Sequence, residues 1–281
     1  MKIKTYIAKD IIDAYKMKFN IDITDYFFGN DLINLYYDNK TGREYFSDKE
    51  VKPGDEHFYK KLSENIVDYY HTEKKEYDDA LNLIKSNSSI LEIGCGRGYF
   101  LKKLEKKNVI SLGLELNQDA IKNKVCNSEI KNQLLEQFVI GIEKKFDYII
   151  AFQLLEHLPS IDTFIDNLPK ILKDDGSIII GVPNNDFYLF KNDLEPLNFP
   201  PHHFQRFNKK SLINLLKSIN FYPKTILIDK YYQYVIKNYV PNNKYHDFIY
   251  RISVFLLNKF LSLIIGHKNF NLLIEFKRNA K

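Results

Sequence analysis

The chain has 281 residues, of which 44% are hydrophobic and 27% charged, and its formal net charge is +5. This composition excludes an intrinsically disordered protein, and the length suffices for one domain with additions or for two small domains. The positive charges are interleaved with acidic residues, which favours a solvated surface over a nucleic-acid-binding surface. The two cysteines, Cys95 and Cys126, lie far apart and indicate neither a disulfide framework nor a zinc site.

The apolar segments of the chain predict neither a signal peptide nor a membrane span. The first ten residues, MKIKTYIAKD, lack the apolar core of a signal peptide. The longest apolar stretch, 248–265, is interrupted by Arg251, Asn258 and Lys259 and falls short of a membrane-spanning helix. We therefore expect a soluble, cytoplasmic protein without integral membrane association.

The first 60 residues are rich in Tyr and Phe and differ in pattern from the rest. DNKTG (38–42) lies between the apolar runs LYY and EYF, which predicts a β-hairpin. We expect residues 1–74 to form an N-terminal appendage, a hairpin plus a helix, on the substrate side.

From residue 89 to residue 183, short apolar runs alternate with helical periodicity. Strands are predicted at 90–93, 109–114, 146–152 and 177–182, the last following a turn at Asp175-Gly176. One further strand is predicted within 129–139. The predicted helices follow Gly98, span 119–125, and run from Ile161 to Leu172, where Pro169 should bend or shorten the helix. This alternation indicates an α/β fold, with a parallel sheet and helices on both faces.

The remainder of the chain contains a predicted helix at 211–219 and predicted strands at 224–228 and 272–276. Residues 230–270 lie between those strands and form a long aromatic-rich helical insertion, which we expect to act as a lid over the acceptor pocket. Its apolar face predicts packing on the domain or on a second subunit of a homodimer, with peripheral membrane contact as the alternative.

LEIGCGRGYF (91–100) places a glycine-rich turn between a strand and a helix, the outline of a nucleotide cradle. A dinucleotide fingerprint needs a glycine at position 99, which is Tyr99, and a P-loop needs a Lys after the glycines. The remaining pattern is an acid followed by three alternating glycines, Glu92, Gly94, Gly96 and Gly98.

The chain resembles class I S-adenosylmethionine-dependent methyltransferases. Four segments carry the resemblance in order: LEIGCGRGYF, LGLELN with Glu115, FDYIIAFQLLEHL (146–158) and LKDDGSIIIGVPN (172–184). Together they extend over roughly residues 75–230. The resemblance implies a Rossmann-like, doubly wound seven-stranded sheet, with the cofactor-binding core at 75–229 and the last core strand and tail at 271–281.

The resemblance also implies which residues bind S-adenosylmethionine. The glycine loop, Cys95 included, passes close under the methionine and ribose, and Glu115 accepts hydrogen bonds from the ribose hydroxyls. Glu92 would bind the methionine amine, with a structural ion pair as the alternative. Further cofactor contacts are expected at the adenine (Leu116, Gln133, Leu134) and at the end of the fourth strand (Phe152, Gln153).

The acceptor side is predicted from histidines, because a hydroxyl acceptor has to lose a proton. FPPHHFQRFNKKSL (199–212) resembles the P-P-H-H-x-x-x-F segment of methyltransferases that act on sugars and related metabolites. By that resemblance His203 is the base and His202 takes the position of a Glu. The alternative is that both histidines hold the loop to the sheet.

Two further acceptor-side candidates are His157, in LLEHL, and Asp186, which equally suits a helix cap. We find no clustered acids of the kind that metal-dependent O-methyltransferases need, and we predict no metal. VKPGDEHFYKKL and DYYHTEKKEY resemble the segment before the core in bacterial enzymes of surface-glycan clusters. Tyr69 or Tyr70 would then cover the cofactor, with core packing as the alternative for either.

The expected function is methyl transfer to a hydroxyl of a sugar, nucleotide-sugar or other small polar metabolite. N- or C-methylation is the alternative chemistry, and a non-catalytic cofactor-binding partner subunit is an alternative of a different class. A nicotinamide oxidoreductase is disfavoured by Tyr99.

Overall fold

The computed structural model of the chain describes residues 1–66, 69, 74–142, 145–186, 195–228 and 271–279. The predicted lid at 230–270 and Tyr70 lie outside the described residues. Within them, no helix combines the length and the apolar character needed to cross a membrane.

Eleven strands are described, and they fall into two sheets. In chain order they are β1 (Lys2–Ile7), β2 (Leu32–Tyr37), β3 (Glu44–Phe46), β4 (Ser89–Ile93), β5 (Ile110–Leu114), β6 (Glu129–Lys131), β7 (Phe146–Phe152), β8 (Leu172–Pro183), β9 (Gln205–Arg206), β10 (Phe221–Ile228) and β11 (Asn271–Arg278).

Eight α-helices of the described ranges connect and flank these strands. In chain order they are α1 (Ala8–Phe19), α2 (Glu56–Asn65), α3 (Lys75–Leu83), α4 (Tyr99–Leu104), α5 (Gln118–Lys122), α6 (Leu135–Phe138), α7 (Asp162–Ile171) and α8 (Lys209–Lys217). Asn117 and Asn208 cap α5 and α8, because each side-chain oxygen accepts a backbone N–H of the first turn.

The seven-stranded sheet has the order β10-β11-β8-β7-β4-β5-β6 and confirms the predicted Rossmann-like fold. All neighbours from β8 to β6 pair parallel, whereas β11 runs antiparallel to both β8 and β10. The central strands are largely buried on both faces, as their mainly apolar sequences predict; Glu92 of β4 is a buried exception. The chain leaves β4 towards β5 and later returns to its other side as β7. The carboxyl end of β4 therefore borders the crevice where ligands of such sheets bind.

Several element boundaries differ from the sequence predictions. α5 ends at Lys122 and not at 125. The third core strand lies within the predicted range 129–139 but covers only 129–131, and α6 follows in the same range. α7 contains Pro169 and ends two residues later, so the missing N–H affects only its last turn. The predicted turn at Asp175-Gly176 lies inside β8, where the register against β7 shifts.

The N-terminal strands confirm the predicted hairpin, with β2 and β3 antiparallel in the second sheet, order β1-β2-β3-β9. Its last member, β9, comes from the FPPHHFQRF segment and not from the N-terminal region. Phe199 and Phe204 of the same segment are buried in the N-terminal hydrophobic cluster. The N-terminal region therefore holds the segment that contains both candidate histidines.

Candidate functional site

The glycine-rich turn leaves β4 in a backbone conformation that other residues rarely adopt. Gly94, Gly96 and Gly98 have φ angles of 71°, 54° and 79°, all in the left-handed region. The N–H groups of Gly94 and Cys95 donate to the carbonyl of Leu114 at 2.8 and 3.2 Å, which fixes the turn to the end of β5.

The three glycines differ in the room that each would leave for a Cβ atom. A Cβ at Gly98 would lie 2.5 Å from Cys126 Sγ, and one at Gly94 would lie 3.0 Å from Leu154 Cδ1. A Cβ at Gly96 would meet no atom of the described residues within 4 Å. Gly98 is therefore required by the packing of the fold, whereas Gly96 presents bare backbone to open space.

Glu115 lies at the end of β5 and faces the glycine turn. Its carboxylate accepts hydrogen bonds from the backbone N–H groups of Gly96, Leu116 and Asn117 at 2.7, 2.8 and 2.8 Å. Asn132 Nδ2 donates to the carbonyls of Glu115 and Leu116 at 3.0 and 2.9 Å. Asn132 was missed by sequence reasoning, and its only signal is an amide side chain directly after a strand.

The predicted adenine contacts lie at neighbouring strand ends. Leu116 is 55% exposed and Leu134 44% exposed, and Gln133 is partly exposed beside Leu134. Asn132 links the two strand ends through its bonds to Glu115 and Leu116. Exposed apolar side chains on both sides of a crevice suit a flat, weakly polar ring.

Two buried carboxylates lie at the end of β4. Glu92 and Glu76 are 2% and 3% exposed, and Glu92 Oε2 has no hydrogen-bond partner among the described residues. Burial raises the pKa of Glu92 well above its usual range, and the charges of Glu115 and Glu76 raise it further, against the lowering effect of Lys74.

Glu76 and Lys74 complete this acidic pocket, although neither was predicted. Glu76 accepts a hydrogen bond from Gln153 Nε2 at 3.0 Å and lies 3.8 Å from Lys74 Nζ. The pocket thus holds carboxylates and an ammonium together, which suits a ligand that carries both signs of charge.

Two other predicted cofactor residues have buried side chains. The Phe152 ring packs against Phe100 and Tyr77 at centroid distances of 4.9 and 5.0 Å. Cys95 is buried, and burial raises the pKa of its thiol, so the side chain is an unreactive packing group. Any contact from Phe152 or Cys95 to a ligand would come from the backbone.

His157, His202 and His203 form one cluster beyond the end of β7. The ring of His157 lies 4.6 Å from that of His202 and 4.8 Å from that of His203, and the rings of His202 and His203 stack at 4.3 Å. His157 belongs to a short 3₁₀ helix, Leu155–His157, that precedes α7. The structure therefore brings together all three predicted catalytic histidines.

Hydrogen bonds distinguish the three rings. His202 is buried, with Nδ1 2.8 Å from the carbonyl of Leu197 and Nε2 2.7 Å from the hydroxyl of Tyr69. His157 Nδ1 lies 2.8 Å from the carbonyl of His202. His203 Nδ1 is buried without a hydrogen-bond partner among the described residues. His202 is thus anchored at both nitrogens, whereas His203 is not.

Burial keeps the cluster neutral. It lowers the pKa of His157 to about 4 and lowers the pKa of His202 and His203 well below the usual range, and the neighbouring rings of the cluster add to the shift for the latter two. A neutral imidazole is the form that accepts a proton or binds a metal.

Tyr69 and Asp186 are the remaining predicted residues, whereas Tyr59 and Glu156 were not predicted. Tyr69 contacts His202, and Tyr59 of α2 places its hydroxyl 3.2 Å from His157 Nδ1. Glu156 is buried, and burial raises its pKa to about 8. Asp186 accepts a hydrogen bond from Asn208, the N-cap of α8, at 3.4 Å.

Comparison with known proteins identifies the family and the fold of the chain. Residues 69–225 match the family model described as a methyltransferase domain. A ubiquinone biosynthesis O-methyltransferase of Pelagibacter ubique is 28% identical over 173 residues, 57% of this chain and 69% of that protein. One of Glaesserella parasuis is 26% identical over 140 residues, 43% of this chain and 59% of that protein. The match thus spans less than two thirds of the second relative's length.

Solved structures share the fold. A SAM-dependent methyltransferase from Archaeoglobus fulgidus superposes with a TM-score of 0.56 at 16% identity, over 80% of this chain and all of that one. A Listeria monocytogenes protein described as an S-adenosylmethionine-dependent methyltransferase gives 0.50 at 14% identity, over 73% and 98% of the two chains.

Proposed function

We propose that the chain, which belongs to the methyltransferase-domain family, transfers a methyl group to a hydroxyl of a small polar metabolite. The chain is an enzyme, an S-adenosylmethionine-dependent methyltransferase with the class I fold. The acceptor and the roles of individual residues are the proposed part.

The described crevice accounts for each part of the cofactor. The carboxylate of Glu115 would accept hydrogen bonds from the ribose hydroxyls. The backbone at Gly96 would pass under the ribose and the methionine, and the side chains of Leu116 and Leu134 would lie on either side of the adenine. The methionine end carries an ammonium and a carboxylate, which match the buried carboxylate of Glu92 and the ammonium of Lys74. The acids of this pocket also favour the positive sulfonium over its neutral product.

The observation that carries the acceptor assignment is the neutral histidine cluster. Its His157 lies close enough to Lys74 of the pocket for that charge to lower its pKa, and its His203 Nδ1 has no hydrogen-bond partner among the described residues. The acceptor oxygen attacks the methyl carbon in line with the sulfur, and the carbon–sulfur electron pair stays on sulfur, which becomes a neutral thioether. The hydroxyl proton passes to His203, and His157 and His202 hold that ring in place.

A sugar or nucleotide-sugar acceptor follows from the likeness of FPPHHFQRF to carbohydrate-modifying enzymes, and surface-glycan biosynthesis would be the setting. The relatives' names favour a second candidate, an acceptor from ubiquinone biosynthesis. We further propose that the chain is divided into an appendage (1–74), a cofactor-binding core (75–229), a lid (230–270) and a last strand with a tail (271–281). We also propose that the protein forms a homodimer and is located in the cytoplasm.

The test uses S-adenosylmethionine with a labelled methyl group and panels of sugars, nucleotide-sugars and ubiquinone precursors. We expect label on an acceptor oxygen, and a rate lower by roughly 100-fold or more in His203→Asn with unchanged cofactor affinity, since a general base contributes about 10² to 10⁴. His57→Asn is the matched control, because His57 is exposed on α2. Label on nitrogen or carbon would contradict the hydroxyl assignment, and cofactor binding with no acceptor labelled would indicate a non-catalytic partner subunit.

A further inference from the structure

We infer that His157, His202 and His203 form a binding site for one divalent first-row cation of the zinc class, beside the cofactor pocket. One ring nitrogen from each histidine lies within 4.8 Å of those of the other two. From the sequence we predict no metal, because we find no clustered acids there. The three histidines come from two segments, 155–157 and 202–203, that only the fold brings together.

The spacing is close to that of a metal site. Tetrahedral ligands about 2.1 Å from a zinc ion lie about 3.4 Å from one another. The widest pair of nitrogens therefore has to approach by at most about 1.4 Å. The rings of His202 and His203, which stack at an interplanar angle of 20°, also have to tilt so that their in-plane lone pairs meet at one ion, and this tilt breaks the hydrogen bond between His202 and Tyr69.

The tautomers are already suited to ligation. Nδ1 of His157 and Nδ1 of His202 each face a backbone carbonyl at 2.8 Å, so each carries the proton and donates it. The lone pair is then on Nε2 of both rings. Donation of the other ring N–H to a carbonyl is the usual second-shell arrangement of histidines that bind metals.

His203 supplies a separate indication that the cluster binds a further group. Its Nδ1 is buried and has no hydrogen-bond partner among the described residues. A buried polar nitrogen without a partner is uncommon in folded proteins, and a bound cation would satisfy its lone pair.

The donor set selects the class of metal. Three neutral imidazoles suit Zn²⁺, Co²⁺, Ni²⁺ or Cu²⁺, whereas Mg²⁺ and Ca²⁺ prefer oxygen ligands. Three protein ligands leave a fourth position open, as in catalytic zinc sites. The hydroxyl of Tyr69, 2.7 Å from His202 Nε2, would have to move aside or take that position.

What the cation does rests on the proposed function. An acceptor hydroxyl at the open position would lose its proton to solvent more easily, because a divalent cation lowers the pKa of bound oxygen. The oxygen would then take the methyl group as written above. In that case His203 acts as a ligand, and the cation takes over the role of activating the hydroxyl.

The test is a titration of tag-free, chelator-stripped full-length protein with Co²⁺, followed by visible absorption. We expect one Co²⁺ per chain with the intense bands of a four-coordinate site, displaced by Zn²⁺. His157→Asn and His203→Asn should each weaken binding at least tenfold, while His57→Asn binds as the wild type does. Circular dichroism and S-adenosylmethionine affinity show that each variant is folded.

Binding that is absent, or that persists at wild-type affinity in both cluster variants, would overturn the inference. Methyl transfer that continues in chelator-stripped protein without Co²⁺ binding would overturn the metal site and leave the proposed function intact. Co²⁺ binding at the cluster without methyl transfer to any hydroxyl would support the metal site and overturn the proposed function.

Discussion

The backbone N–H of Gly96 donates a hydrogen bond to Glu115 Oε2 at 2.7 Å and so joins the turn after β4 to the end of β5. A ribose that binds Glu115 would therefore also set the position of the glycine turn. We expect Glu115→Ala to weaken S-adenosylmethionine binding roughly 10- to 100-fold, since hydrogen bonds to a charged group contribute about 1.5–3 kcal/mol. Calorimetry measures the loss, and Glu129→Ala, at an exposed acid on the neighbouring strand, should bind as the wild type does.

Gly96 and Gly98 should respond differently to alanine. Gly98→Ala places a Cβ 2.5 Å from Cys126 Sγ and should lower the free energy of unfolding by about 2 kcal/mol or more, through overpacking and backbone strain. In Gly96→Ala the new Cβ would lie in open space, so the free energy of unfolding should fall only by the strain of the positive φ, about 1 kcal/mol. The main effect of this substitution should be weaker cofactor binding. Denaturant unfolding and calorimetry separate the two effects, and equal loss of stability in both variants would contradict this division.

Cofactor binding should release protons from Glu92. Burial raises the pKa of Glu92 in the free protein, so this side chain stays protonated to a higher pH than an ordinary Glu, and a bound cation favours the carboxylate. The affinity for S-adenosylmethionine should therefore rise with pH until Glu92 is ionised in the free protein as well. Titrations in buffers of different ionisation enthalpy measure the release, which should vanish in Glu92→Gln; unchanged release in that variant would assign the proton to another group.

Asp55 should make an acid-sensitive contribution to stability. Partial burial alone would raise its pKa, but hydrogen bonds from Tyr26, Lys52 and the N–H of Phe58 outweigh this and lower it to about 2. Because the folded state binds the proton less tightly than the unfolded state, this stabilisation is present above pH 3.8 and is lost as the pH falls through about 2.

Asp55→Ala also removes the N-cap of α2 and should lower the free energy of unfolding at neutral pH by about 1 kcal/mol. Chemical denaturation from pH 7 to pH 2 checks this, with Asp48→Ala at an exposed turn as the control. The difference between wild type and Asp55→Ala should shrink at the acid end, and a difference that stays constant would show that the carboxylate charge is irrelevant.

The central fold followed from the sequence because its signals are local. Continuous apolar runs such as YIIAF (148–152) produce strands buried on both faces, and a glycine turn between strand and helix fixes the binding edge. Glu115 was predicted for the same reason, since its position depends only on the end of β5.

Residues whose placement depends on tertiary packing were missed. Glu76 and Lys74 precede Glu92 of β4 by 16 and 18 residues, and nothing in KEYDDAL indicates that the acid is buried against Gln153. The two-residue strand β9 pairs with β3 across about 160 residues of chain, far beyond the reach of a local pattern. The separate roles of His202 and His203 likewise depend on Leu197 and Tyr69, which hold only the former.

The most direct test of the account is a calorimetric titration of wild type and Glu115→Ala with S-adenosylmethionine, with its demethylated product and with NADH. The account predicts that the first two bind the wild type, that both lose affinity in the variant, and that NADH binds neither protein. Absence of binding by both sulfur compounds, or binding of NADH in their place, would contradict the assignment of the glycine crevice to S-adenosylmethionine.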